Sequence, residues 1–224
     1  MKLSVTLALL LTLCAASSAN AGAWLKERGS GFASFTLGGN MHHEVTGALY
    51  LEYGLGDHTT IGIDVNGFTD GNTARNALGH VFLRRELFKT GNAHRFSYEV
   101  GVGAMWLDER TLPTVKTTLS WGYGFSSGPR NGWASLDASY TYEPTLGMSI
   151  AKVDGTFGMA ITEVTTGMIQ FTASSQNDND SYRAVEPSLL FTPKGKTFSL
   201  RIGAEVPVEH TDKSALKLGL WRRF

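Results

Sequence analysis

Apolar and polar positions alternate along residues 49–68, LYLEYGLGDHTTIGIDVNGF: Leu49, Leu51, Tyr53 and Leu55 share one parity, and past Gly56-Asp57-His58 so do Ile61, Ile63 and Val65. Successive side chains of a strand point to opposite faces, so this period predicts two strands joined by a tight turn. The same alternation returns in Phe96, Tyr98, Val100, Val102, Ala104 and Trp106, in Leu119, Trp121, Tyr123 and Phe125, in Leu136, Ala138, Tyr140 and Tyr142, and in Phe198, Leu200, Ile202, Ala204 and Val206. It predicts strands near 31–38, 45–55, 59–68, 77–88, 94–106, 114–125, 132–142, 149–159, 164–174, 182–192, 197–207 and 214–224, about twelve in all. Helical spacing is hard to find. Most of these segments reach about ten residues, longer than the five or six usual in soluble sheets and matched to a tilted strand crossing a bilayer.

The alternation leaves open whether the apolar face points inward, as in a soluble sandwich or barrel, or outward into lipid. Strand length and the sorting of residues favour the second: an all-β, closed, up-and-down membrane β-barrel of about twelve antiparallel strands. The opposite parity then encloses Asp64, His80, Arg84, Glu86, Arg95, Glu99, Lys116, Asp137, Lys152, Asp154, Glu186, Arg201, Glu205 and Lys217 as lumen-lining residues. Charges of both signs in an enclosed space must pair or stay wet. Arg84, Glu86, Arg95 and Glu99 come from consecutive strands and lie within reach of cross-strand pairing. The interior glycines Gly62, Gly101, Gly103, Gly122, Gly124 and Gly203 favour open space.

The connections sort into two kinds. Those at 56–58, 89–93, SSGPRN and 193–196 are compact, whereas TDGNTARN, LDERTLP, SQNDND and EHTDK are longer and more charged, as periplasmic turns and outer loops would be. Tyr53, Phe96, Phe125, Phe157, Phe191, Phe198 and Phe224 gather toward the short-turn end on the lipid parity, with Trp106 and Tyr142 at the other, the distribution of interfacial aromatic belts. Pro187 falls on the lipid parity of the tenth strand, where it removes a ladder donor, so a bulge or a locally unpaired stretch is expected there.

Residues 1–21 read as a cleavable export signal: Lys2 begins it, 3–16 are apolar, and Ala19-Asn20-Ala21 is a small-x-small site with cleavage after Ala21, leaving 22–224 as one domain. The single cysteine, Cys14, lies within that segment after Leu13, which argues against lipid anchoring and leaves the remaining chain without a thiol. Lys plus Arg equals Asp plus Glu at 20 each, so no net field draws the chain to nucleic acid.

The final strand, ALKLGLWRRF, resembles the C-terminal β-signal of Gram-negative outer-membrane proteins through Leu216, Leu218, Gly219, Leu220 and Phe224; Arg222 departs from it where an aromatic is preferred. GAWLKERGSGFASF and LYLEYGLGDHTTIGID resemble the opening segments of the phenol-degradation MetA-pathway-like, putative transporter group of small outer-membrane proteins. The resemblances imply outer-membrane location, recognition by the barrel-assembly machinery through the last strand, contact with lipid and lipopolysaccharide, and passive transport.

No residue set points to catalysis. Neither a Gly-x-Ser-x-Gly elbow nor a His-x-Ser pair occurs, and His80 stands alone as a wall histidine. His42-His43 would point to opposite faces of a strand, and Asp178 and Asp180 lack the glycine and distal glutamate of a calcium loop, so neither a metal nor another cofactor is expected. The expected function is a narrow passive channel for small solutes. Its alternatives are a closed structural barrel whose outer loops bind a partner or lipopolysaccharide and, behind that, a barrel lipid hydrolase.

Overall fold

The computed structural model describes residues 22–70, 75–90, 93–107, 110–128, 130–177 and 180–224. The expected export segment at 1–21 and Asp178 lie outside these residues. Twelve strands follow one another: β1 (Gly31–Asn40), β2 (Val45–Gly56), β3 (Thr59–Thr69), β4 (Arg75–Thr90), β5 (His94–Leu107), β6 (Arg110–Ser127), β7 (Arg130–Glu143), β8 (Met148–Ala160), β9 (Thr165–Gln176), β10 (Asp180–Phe191), β11 (Phe198–Pro207) and β12 (Ala215–Arg223). Each pairs antiparallel with its neighbours in sequence, and β1 closes on β12 from Phe32↔Arg223 to Asn40↔Ala215. Closure leaves no open edge, so every strand finds ladder partners on both sides, as a backbone in hydrocarbon requires.

The apolar parity faces outward. Ile63, Val100, Val102 and Leu200 are 40%, 52%, 66% and 52% exposed, while Glu99 and Arg201 are 3% and 4% exposed. A soluble barrel inverts that sorting, because in water the apolar side chains gain by burial; here the exposed stripe suits acyl chains. The start of β1 and the end of β12 lie at one end of the barrel, the terminal end, where Gly31 and Phe224 exchange backbone hydrogen bonds of 2.6 and 3.0 Å. Rings stack outward there: Tyr123 on Phe125 (5.9 Å), Phe125 on Phe157 (5.6 Å) and Phe88 on Phe96 (4.5 Å). Trp106 and Tyr142 face outward nearer the opposite, distal end.

One expectation needs correction, and at Pro187 the second of the two expected alternatives, a locally unpaired stretch, is the one found. The distal connections are scarcely longer than the terminal ones, because the ladder runs on into the charged segments. β6 begins at Arg110 and pairs Pro113 with Ala104, so LDERTLP is mostly strand, and β9 continues to Gln176. Charged side chains at a rim reach water without interrupting backbone pairing. Pro187 produces no bulge. It pairs with Ile169 of β9, while its side toward β11 is locally unpaired between Val185↔Val206 and Ser188↔Gly203, with the register unchanged.

Because Val100 sits mid-strand on the outer face, Val100→Arg is expected to destabilise the barrel in bilayers by about 2–4 kcal/mol. Reversible urea unfolding in lipid vesicles measures it, with Val45→Arg near the distal rim expected to cost far less.

Candidate functional site in the barrel interior

The inward parity of the strands carries two apolar clusters and three charged networks. Near the terminal end, Phe32, Tyr50, Phe82, Met168, Leu190 and Trp221 pack together with Trp133 against them. Phe32 meets Trp221 edge-on at 5.8 Å and Tyr50 stacks on Phe82 at 5.8 Å. Near the distal end, Phe68, Leu78, Met105, Leu112 and Ile150 form a second cluster.

The first charged network is centred on Arg84. Its guanidinium donates to Glu52 at 3.0 Å, to Glu99 at 2.7 Å and to the Tyr50 hydroxyl at 3.0 Å, and the Tyr50 hydroxyl in turn donates to Glu52 at 2.8 Å. The ladder makes this possible by setting Arg84 directly across from Glu99. Lys116 extends the network to Glu99 at 3.5 Å and Asp64 at 3.3 Å, and Lys26 reaches Glu52 at 2.8 Å. On the opposite wall, Arg201 donates to Glu186, Gln170 and Ser188, and Lys217 bridges Glu186 and Glu205. The third network pairs Lys152 with Asp154 at 2.9 Å, with Thr172 donating to Asp154 at 2.7 Å.

All fourteen lumen-lining residues expected from parity lie on the inner face or its rim. His80 is buried and hydrogen-bonds Thr114 at 3.1 Å, as a wall histidine. Glu86 sits at the terminal rim, 3.3 Å from His58, and the Arg95 guanidinium donates to the carbonyl of His94. Of the four residues expected to pair across β4 and β5, Arg84 and Glu99 do so, whereas Glu86 and Arg95 turn to local partners.

Sequence reasoning missed Glu52, which shares the inner parity of β2 with Tyr50, and the inward aromatic cluster as a whole. Parity could have found both. It also missed residues 22–30, which precede β1 and enter the lumen, where Trp24 lies against Gly122 and Lys26 against Thr60. No periodicity marks such a segment. The glycine expectation is corrected with it. A Cβ at Gly62 would strike Phe82, one at Gly122 the Trp24 ring, one at Gly103 the Gly79 backbone, and one at Gly203 the Ser188 side chain. Of the six, Gly124 alone faces open space. These glycines accommodate close packing.

The charged side chains of the lumen differ in exposure. Arg84, Glu52, Glu99, Glu186, Arg201 and Lys217 are nearly dry. In contrast, the side chains of Asp64, Lys116, Lys152 and Asp154 keep 19%, 17%, 13% and 16% exposure. These four charged side chains, on the inner faces of β3, β6 and β8, keep more exposure than the Arg84 and Arg201 networks.

No family model and no curated protein matches this chain. Among solved structures, it is similar to the KdgM porin (TM-score 0.60, 9% identity, 86% of this chain and 99% of that one) and to the COG4313 outer membrane channel from Pseudomonas putida F1 (0.59, 10%, 93% and 100%). It is also similar to LpxR from Salmonella typhimurium (0.57, 9%, 85% and 99%). The chain is a closed twelve-strand antiparallel β-barrel of the kind found in outer-membrane porins and channels.

Proposed function

We propose that the protein is an outer-membrane barrel acting as a narrow passive channel for small polar solutes, with the terminal end in the periplasm. The observation that carries this is the residual exposure of the Asp64, Lys116, Lys152 and Asp154 side chains among inner walls that are otherwise packed. Side chains of both signs along a thin passage solvate small polar molecules without selecting strongly for one charge. The fold shared with a porin and a channel supports the reading, as do the resemblances of the opening segments and of the last strand. Leu216, Leu218, Leu220 and Phe224 face outward on β12, where an assembly factor could meet them, while Trp221 turns inward onto Phe32.

A second reading, a closed structural barrel with partner-binding loops, is favoured by the dryness of the Arg84 and Arg201 networks and by the segment inside the lumen. The fold alone does not separate these readings, since LpxR shares it and is named neither porin nor channel. Planar bilayers do. The purified, folded protein, identified by faster unboiled migration and outer-membrane fractionation, is expected to give small, discrete current steps. Silent bilayers under the same conditions would support the closed wall.

A further inference from the structure

The segment before β1 follows a defined path through the lumen. Gly29 donates to the Gly54 carbonyl at 3.0 Å, Lys26 donates its backbone N–H to Thr60 Oγ1 at 2.9 Å, and the Trp24 ring rests against Gly122. Ser97 donates to the carbonyl of Gly22 at 3.2 Å, deep inside the barrel. Ala23 and Gly22 are both buried. The segment ends against Asp137: a Cβ placed on Gly22 would lie 3.0 Å from Asp137 Oδ1 and 3.3 Å from Oδ2.

Asp137 stands apart from the other interior carboxylates: Glu143, which also lacks a nearby lysine or arginine, accepts the backbone N–H groups of Thr145 and Leu146 instead. Glu52, Glu99, Asp64, Asp154, Glu186 and Glu205 each hold a lysine or arginine within 4.0 Å. Among the described residues Asp137 has no such cation. Its Oδ1 is buried without a hydrogen-bond partner. Its cross-strand neighbours are Ser120 on β6 and Asp154 on β8, and the second of these sets a like charge directly opposite. A buried carboxylate in that position needs a positive partner or it destabilises the wall.

We propose that hydrolysis of the Ala21–Gly22 peptide bond supplies that partner: the α-ammonium of Gly22 becomes the counter-ion of Asp137 and locks the N-terminal segment inside the lumen. Water adds across the bond under a signal peptidase. The new carboxylate leaves with residue 21, and the new amine stays on Gly22 and takes up a proton. Before cleavage Gly22 carries a neutral amide and the lumen holds one unpaired anion; afterwards the third network, Lys152 and Gly22 against Asp154 and Asp137, balances as the other two do. Glycine fits here because any Cβ would stand 3.0 and 3.3 Å from the two carboxylate oxygens of Asp137. Removal of the export segment thus completes an internal ion pair, so that processing and seating of the lumenal segment are one event.

The test begins with intact mass and N-terminal sequencing of the outer-membrane protein, which should give Gly22 as the first residue; another start overturns the proposal. An aldehyde selective for α-amines is then applied to the folded protein in detergent and to the boiled protein. The folded wild type is expected to be at least tenfold less reactive than the boiled one, Asp137→Asn to lose that protection while still folded, and Asp137→Glu to retain most of it. Should Asp137→Asn fail to fold, the wild type still decides, because equal labelling in the folded and boiled states overturns the ion pair. Amine protection requires no solute passage, so a silent bilayer would count against the channel reading and leave this result standing.

Discussion

Arg84→Ala is expected to cost the folded barrel about 3–5 kcal/mol, as removal of one partner from a buried ionic network does. Arg84 alone contacts Glu52, Glu99 and the Tyr50 hydroxyl, and its side chain is 3% exposed. Its loss leaves two nearly dry carboxylates, with Lys26 on one and Lys116, at 3.5 Å, on the other. Arg84→Lys should recover only part of the loss, because an ammonium is a point charge and cannot span two carboxylates and a hydroxyl as a planar guanidinium does. The urea midpoint of the fast-migrating band in detergent measures both variants. An unchanged midpoint for Arg84→Ala would mean that water solvates Glu52 and Glu99.

Removal of residues 22–25 is expected to raise the unitary conductance several-fold. These residues occupy lumen against β5, β6 and β7, with Trp24 over Gly122 and Gly22 at Ser97 and Asp137. A twelve-strand barrel lies between the eight-strand size that side chains fill and the sixteen-strand porin with its open channel, so one strap of extended chain takes up much of the free cross-section. Lys26 stays in this variant, preserving its ion pair with Glu52, while Asp137 loses its contact with Gly22. Single-channel recording in planar bilayers checks the increase, and Trp24→Ala should show a smaller step in the same direction. Equal conductance with and without the strap would place the solute path elsewhere.

The twelve strands, their boundaries to within a few residues and the outward apolar face were legible in the sequence, because a strand has a period of two and a sheet bathed in lipid on one side shows it without interruption. The inward placement of the fourteen charged and polar residues followed from the same parity. Which of them meet did not. Arg84 faces Glu99 because the β4–β5 register sets it there, and Arg201 and Lys217 share Glu186 across three strands of a curved wall. Register and curvature are properties of the closed ladder, so no single strand encodes them.

The interior glycines show the same division. Their inward parity was readable, but whether each opened on space or on a ring depended on Phe82, Ser188 and Trp24 arriving from other parts of the chain. The segment at 22–30 has no period at all. Its sequence determines a short polar and aromatic run after the expected cleavage site; only closure of the barrel around it determines that Gly22 lies against Asp137, because a lumen exists only once all twelve strands have joined.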